Sequence, residues 1–569
     1  MTTTETDPTT SAPDGRPAPS SGAATGDAPA AARAPAREPG RPRRYGWWLA
    51  AIALAGLALR LVYLLGWRTP WPVLGDPYYY HHGANLLADG EGYVHPYRFL
   101  LYGVRMPGAD HPPGYLTALA GFSWLGLRSF FQHQVISCVM GALGVAALGL
   151  AGRRVAGERV GLIAAAMAAL SPNLFYFDAM VVSETLVVST TALLLLAAYR
   201  WWDRPGAGSA ALFGAAVGVA ALVRSEAILL GPLIAVPLVL WRRRAAAPGD
   251  AAGRSWRRGA GQLALAGAVA GALIAPWVAH NMARFEEPTT LSAQFDQTLG
   301  TANCEEVYYG DRVGYWSLAC IQATEHLVGD GDASAQGRGF ARIARRYMRD
   351  HTERVPFVVA ARVGRTFAVY QPQEQMFLDT EIETKEPVLG EIGLGVWYGV
   401  AVAGAFGLVG LRRAGRPVFP LVAVCVSVVA TVAVVYGNTR FRLPAELALM
   451  IPAAVSLDGA WTAFRRRRGR ELEPSLRPAD PPVGADPADG AAPAPEAPAG
   501  DGPAGVGVPA AAGPAVDAAA DPPGGLGSSS GRFAGFDGMR AIAALGVLVT
   551  HVSLQVGFVV RDRTGNYLS

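Results

Sequence analysis

Residues 46–67 read GWWLAAIALAGLALRLVYLLGW, an apolar run interrupted only by Arg60. As a helix at about 1.5 Å per residue, such a run crosses the roughly 30 Å hydrocarbon core of a bilayer. Arg41, Arg43 and Arg44 stand just before it. Runs of similar character recur near 130–152, 160–178, 182–202, 209–224, 226–241, 259–279, 390–411, 417–436 and 443–462. The pattern predicts an all-α polytopic membrane protein with about ten transmembrane helices, and one more near the C-terminus. The division of 209–241 is the loosest, because Arg224 and Glu226 interrupt it. The chain is 51% hydrophobic and only 17% charged, a balance that excludes an ordinary soluble domain.

The arginines orient the spans. Arg153 and Arg154, Arg200 and Arg204, the loop from Arg242 to Arg258, Arg412 and Arg413, and Arg465 to Arg468 fall on one side when about ten spans are threaded. Cytoplasmic loops carry such excesses of Arg, so the N-terminus is predicted to be cytoplasmic and the protein to sit in the cell membrane. Two large polar regions, 68–129 and 280–389, then face outward. Cys304 and Cys320 lie in the second and can pair, which requires an oxidising compartment. Cys138 and Cys425 lie in apolar runs and read as small buried thiols. Residues 1–44 and 466–530 are rich in Ala, Pro and Gly and are predicted to be disordered, leaving 45–465 as the membrane domain. A net charge of +4 gives no footing for a nucleic-acid partner.

Chemistry-bearing residues gather in the outward regions. Asp76 lies in Gly75-Asp76-Pro77-Tyr78-Tyr79-Tyr80-His81-His82, after the first span. A carboxylate there can act as a general base toward an acceptor hydroxyl, or can N-cap a helix that Pro77 begins. Tyr79 and its neighbours can stack on a sugar or form an interfacial belt. Asp110 and His111 precede a Pro112-Pro113-Gly114-Tyr115 turn. Glu184, after Ser183, either caps its span or orients Asp76. Arg224 with Glu226 is an ionisable pair at membrane depth, hence a binding candidate or a mutual ion pair. Arg60 can snorkel outward or reach a phosphate. Arg440 and Arg442, in Tyr436-Gly437-Asn438-Thr439-Arg440-Phe441-Arg442-Leu443-Pro444, oppose the arginine bias and are candidates to hold a lipid phosphate in bidentate fashion. His81, His82, His95 and His111 with Asp76 and Asp110 match no compact metal-ligand spacing. No cofactor is therefore expected, a divalent ion being the alternative.

The chain resembles the C-type membrane glycosyltransferases, in the superfamily of protein O-mannosyltransferases and aminoarabinose transferases. The resemblance rests on Gly75-Asp76-Pro77-Tyr78-Tyr79, His111-Pro112-Pro113-Gly114-Tyr115, Ser183-Glu184, Ala275-Pro276-Trp277 with Asn281, and Arg440-Phe441-Arg442-Leu443-Pro444. It implies that Asp76 is the base or the acceptor-positioning carboxylate, that the donor is a polyprenyl-phosphate sugar, and that transfer inverts the anomeric carbon. Many relatives carry a second acidic residue directly after that Asp. Here Pro77 follows, leaving Asp110 or Glu184 as substitutes. Residues 533–551, with Arg540 and His551, resemble the opening of the acyltransferase-3 family, so 531–569 reads as a truncated first span of such an enzyme.

The resulting expectation is a membrane glycosyltransferase with Asp76, Asp110 and Glu184 as catalytic residues. Tyr79, His111, Arg224, Arg440 and Arg442 are expected to bind substrate. Its partners would be a polyprenyl-phosphate-linked sugar, membrane lipid and an extracytoplasmic acceptor. The competing readings are a lipid-linked sugar transporter and a membrane O-acyltransferase fusion partner.

Overall fold

In the computed structural model the residues described are 42–66, 75–245 and 255–469. Their regular structure consists of helices, a few 3-10 turns and one isolated antiparallel bridge between Val94 and Pro107. In chain order the helices are α1 (Pro42–Gly66), α2 (Asp76–Ala88), α3 (Pro96–Tyr102), α4 (Gly114–Trp124), α5 (Phe130–Ala156), α6 (Glu158–Leu170), α7 (Pro172–Asp178), α8 (Glu184–Asp203), α9 (Ala207–Val223) and α10 (Leu230–Ala245). They continue with α11 (Trp256–Met282), α12 (Gln294–Thr301), α13 (Glu305–Tyr308), α14 (Leu318–Gln322), α15 (Ala333–Asp350), α16 (Val355–Thr366), α17 (Pro372–Glu381), α18 (Pro387–Arg413), α19 (Phe419–Val434) and α20 (Leu443–Arg467). The chain is an all-α, multi-pass membrane protein.

Each of the ten apolar runs forms helix, but not all in the same way. Seven helices are long and apolar enough to cross a membrane, or eight if the bent pair α6–α7 is one span. That pair turns by 59° around Ser171, where Pro172 begins the second piece. The α9 and α19 helices have 17 and 16 residues. At about 1.5 Å per residue they are shorter than the hydrocarbon core, so they end beneath or within the irregular segments that carry polar side chains.

The spans pack as long pairs: α18 along α20, α9 along α11, and α5 against α6 and α8, with α1 laid over α5 and α6. Small residues permit these approaches. A Cβ on Gly407 of α18 would land on the carbonyl of Pro452 in α20, so that crossing requires glycine. The polar segments between α11 and α18 form a helical cap whose Cys304 and Cys320 are joined by a disulfide, with Cα atoms 5.7 Å apart.

Arg60 does not snorkel. It is buried, its Nε donating to Asp178 Oδ2 at 2.6 Å and its Nη1 to the carbonyls of Gly56 and Ala169. A charge at that depth is tolerable only with such partners. The expectations for the N-terminal segment, the 466–530 linker and the C-terminal segment with Arg540 and His551 lie outside the described residues, save that α1 begins at Pro42 and α20 runs to Arg467.

Candidate active site

The helix ends are sorted by charge. Arg153 and Arg154 end α5, Arg200 ends α8, Arg412 and Arg413 end α18, and Arg465 to Arg467 end α20. At the opposite ends of these helices the chain encloses a cavity of about 1270 Å³. Its polar end is lined by Asp76, Asp110, His111, Arg224, Glu226, Glu383 and Arg440. Ile228, Leu229, Ile274, Val278 and Val434 form an apolar wall contributed by membrane helices.

Asp76 is the first residue of α2 but does not cap it. The N-cap is Gly75, at φ 70° and ψ −148°, a backbone conformation open to glycine and costly for other residues. With the cap position one residue earlier, the Asp76 carboxylate turns into the cavity. Its Oδ1 lies 3.1 Å from His111 Nε2, and its Oδ2 accepts from Arg440 Nη2 at 2.6 Å. Burial pushes this carboxyl up, but the charges and hydrogen bonds of Arg440 and His111 more than reverse that and hold it well below the usual range.

His111 is held by stacking on the ring of Tyr80, with centroids 5.0 Å apart. The turn that follows it is pressed against the end of α9, where a Cβ on Gly114 would meet the Leu222 carbonyl at 2.6 Å. The same loop folds residues 93–108 back on themselves, with the Gly108 amide donating to Tyr93 and the His95 amide to Met106. This brings Asp110 Oδ2 within 3.3 Å of His95 Nε2. Burial pushes His95 down, but the Asp110 carboxylate raises it above its ordinary 6.5. Burial likewise raises Asp110, and the bond to His95 brings it below the ordinary carboxylate value. The two histidines thus give two adjacent carboxylate–imidazole pairs, Asp76–His111 and Asp110–His95.

Arg440 is the hub. It sits in a 3-10 turn, Thr439–Arg442, begun by Asn438, whose Oδ1 accepts from the Arg440 amide at 2.9 Å. Besides Asp76, its guanidinium reaches Glu184 Oε1 at 2.7 Å and Glu383 Oε2 at 3.3 Å. Asn438 Nδ2 also donates to Glu383 Oε1 at 3.0 Å, fixing that carboxylate beside the arginine. Burial raises Glu383 above the ordinary glutamate value, with Asp76 among the negative neighbours adding to it against the pull of Arg440. Arg224, on the break between α9 and the 3-10 turn Ser225–Leu229, donates to the same Glu184 oxygen at 3.0 Å and to Glu226 at 2.9 Å. Glu184 therefore ties the two arginines together. It does not cap α8 with its side chain, and its second oxygen is buried without a hydrogen-bond partner.

The structure thus brings together Asp76, Asp110, His111, Arg224 and Arg440 on one cavity, with Glu184 directly behind the arginines. It does not bring in Tyr79 or Arg442. Tyr79 is 4% exposed, packed with Tyr80 and Tyr115 and edge-on to His95 and His111, so it neither forms a sugar platform nor faces an interfacial belt. Arg442 is 2% exposed and points away from the cavity, to Glu446 at 3.4 Å and over the Trp397 ring. Two residues apart in a 3-10 turn, Arg440 and Arg442 lie on different faces. Glu383 is the member that sequence reasoning missed. Among the described residues no group of three or more His, Cys, Asp and Glu has the arrangement of a metal site.

Residues 110–278 match the family model described as dolichyl-phosphate-mannose-protein mannosyltransferase. The matched stretch holds Asp110, His111, Glu184 and Arg224 but not Asp76, Glu383 or Arg440. Among solved structures, the chain is similar to the oligosaccharyltransferase AglB from Archaeoglobus fulgidus in complex with an inhibitory peptide and a dolichol-phosphate. The two are 16% identical, with 76% of this chain and 52% of that chain covered, at a TM-score of 0.44. The chain thus spans about half the length of that protein. ArnT from Cupriavidus metallidurans, in the apo state, is also 16% identical, with 76% and 81% covered and a TM-score of 0.32. No curated protein matches the chain.

Proposed function

We propose that the chain is a membrane glycosyltransferase that moves a sugar from a polyprenyl-phosphate donor to an extracytoplasmic acceptor, with inversion. The observation that carries this reading is the single cavity in which a charged end, Asp76 with Arg440 and Arg224, meets an apolar wall built from membrane helices. A phosphate on a long hydrocarbon chain has the same two-part character. The match of residues 110–278 to a mannosyltransferase family model supports it independently.

In the proposed reaction an acceptor hydroxyl attacks the anomeric carbon as the bond from that carbon to the phosphate oxygen breaks. Polyprenyl phosphate leaves with the bonding electrons, and the hydroxyl proton passes to Asp76. Arg440 and Arg224 neutralise charge growing on the phosphate. A carboxylate held as acidic as Asp76 is a weak base. When Arg440 turns to the donor phosphate, Asp76 loses its strongest counter-charge and becomes a better one, so donor binding readies the base. Asp110, paired with His95, is placed to orient the acceptor.

The sidedness is part of the proposal. The arginine-rich helix ends would be cytoplasmic and the cavity extracytoplasmic. The Cys304–Cys320 disulfide, on the cavity side, agrees with an oxidising compartment. A transporter needs a path through the bundle, whereas the polar lining of this cavity comes from one set of helix ends.

The test is transfer from polyprenyl-phosphate sugars by purified protein in proteoliposomes. Asp76→Asn, which keeps size, is expected to remove donor consumption while the protein still folds, with a melting temperature lowered by the loss of the ion pair to Arg440. Wild-type turnover in that variant would refute the assignment.

A further inference from the structure

One helix of the cap carries a charge pattern that the proposed chemistry does not use. Along α15, Arg338, Arg342, Arg345, Arg346 and Arg349 are all exposed. They recur at three- and four-residue steps and so form one stripe about 16 Å long. Acidic residues occur only at the ends of the helix, at Asp332 and Asp350. Like charges three and four residues apart repel, so the stripe weakens its own helix. Three of the five have carboxylate neighbours, Arg338 with Glu287 at 2.8 Å, Arg345 with Asp296 at 3.1 Å and Arg346 with Asp350 at 3.9 Å.

The stripe is also aimed. Its first member, Arg338, lines the cavity together with Ser334 and with Asp296, the partner of Arg345. Besides Leu291, Phe295 and Asp296, the same cavity is lined by Thr290, Gln294, Gln297 and Thr298. These are amides and hydroxyls, uncharged groups that both donate and accept hydrogen bonds, as sugar hydroxyls do. The opposite face of α15 is already occupied. Phe340, Ala341 and Ala344 are buried and the helix packs on α12. A helix that lies on a bilayer keeps a free apolar face to insert, and α15 has none.

We propose that α15 is a docking track for an anionic glycan, a saccharide chain bearing carboxylate or phosphate groups, whose end enters the cavity past Arg338. This rests on the transferase reading and gives the acceptor a chemical class. The stripe holds the charged repeat by its guanidinium groups, and the amides and hydroxyls of the cavity lining receive sugar hydroxyls.

The test measures binding without turnover, using the full chain in nanodiscs of phosphatidylcholine. The probes are polygalacturonate, dextran of similar length, inorganic phosphate, and separate vesicles of anionic lipid. Polygalacturonate is expected to bind more tightly than dextran and more weakly as salt rises from 50 to about 200 mM. Replacing Arg342, Arg346 and Arg349 together by Gln is expected to weaken it about tenfold, since exposed pairs each contribute modestly. The same three positions changed to Lys should retain most of the affinity. Polygalacturonate binding no better than dextran, or unchanged in the Gln variant, overturns the proposal. So does a loss confined to anionic vesicles, which would assign the stripe to lipid, or competition by inorganic phosphate equal to that of the polymer. If the Gln variant misfolds, the dextran and salt comparisons on the wild type still decide. Failure of the transferase reading shows up separately, as donor consumption that survives Asp76→Asn.

Discussion

Arg440→Gln is the perturbation with the largest calculable consequence. The guanidinium serves Asp76, Glu184 and Glu383, whose side chains are 24%, 3% and 15% exposed. Removing it leaves three carboxylates with Arg224 as the nearby arginine and His111 as a hydrogen-bond partner of Asp76. Leaving buried charge uncompensated costs about 3–5 kcal/mol, and the partly open cavity places this case near the lower figure, about 3 kcal/mol. The loss has a definite pH dependence. In the wild type, the folded pKa of Asp76 is depressed, so its contribution is present above its ordinary pKa of 3.8 and is lost as pH falls through the folded value. Without Arg440 that depression shrinks, and Glu383, already raised, rises further. Asp76 then contributes less, and Glu383 resists ionisation in the fold more strongly, so the deficit of the variant grows as pH rises through the range where Glu383 ionises and narrows as pH falls. The assay is thermal unfolding of wild type and Arg440→Gln in the same detergent at about pH 5 and pH 8. Asp76→Asn in the Arg440→Gln background should return part of the lost stability at pH 8. A variant that melts with the wild type at both pH values, or is hurt more at pH 5, refutes the reasoning.

Two further outcomes follow from the same geometry. Asp110→Asn should let burial dominate at His95, moving its titration from above 6.5 to below it; ring-proton or ring-nitrogen NMR that finds no downward shift would contradict the pairing. Arg442→Gln should lower stability, by about 3 kcal/mol for a broken buried pair, yet leave the donor KM of the surviving protein within about twofold. A large rise in KM without destabilisation would return Arg442 to the phosphate site.

Much of this arrangement was legible in the chain. The apolar runs located every span, because length and hydropathy suffice where the solvent is lipid. The arginine bias alone groups Asp76, Glu184, Arg224 and Arg440 at the same helix ends. What failed was direction at the scale of one residue. For Asp76 the alternative of an N-cap, suggested by Pro77, is the one that fails, because Gly75 takes that place through a positive φ that no pattern announces. Arg440 and Arg442 read as a matched pair, although a 3-10 turn sends them to different faces. Tyr79, expected to stack on a sugar or join an interfacial belt, is instead buried, edge-on to His95 and His111. Glu383 was invisible for another reason. In Thr380-Glu381-Ile382-Glu383-Thr384-Lys385 it resembles a solvated charge, and only the Asn438 bond and the nearness of Arg440 distinguish it. Glu184 and Glu383 reach the arginine that pairs with Asp76 from distant parts of the chain.

The hub has a consequence for how the protein is made. Asp76 and Arg440 are 364 positions apart, and Glu184 and Arg440 are 256 apart. A ribosome adding roughly 5–20 residues per second produces Asp76 about 20–70 s before the arginine that neutralises it. Over that interval the acidic ends of α2 and α8 must stay hydrated or protonated at the membrane surface, because no completed pocket exists to receive them. Closure of the bundle around them becomes favourable only when the turn before α20 arrives. The turn before α20 therefore carries the group that permits the first loop to settle, and a chain stopped short of residue 440 leaves the carboxylates of Asp76 and Glu184 without that partner.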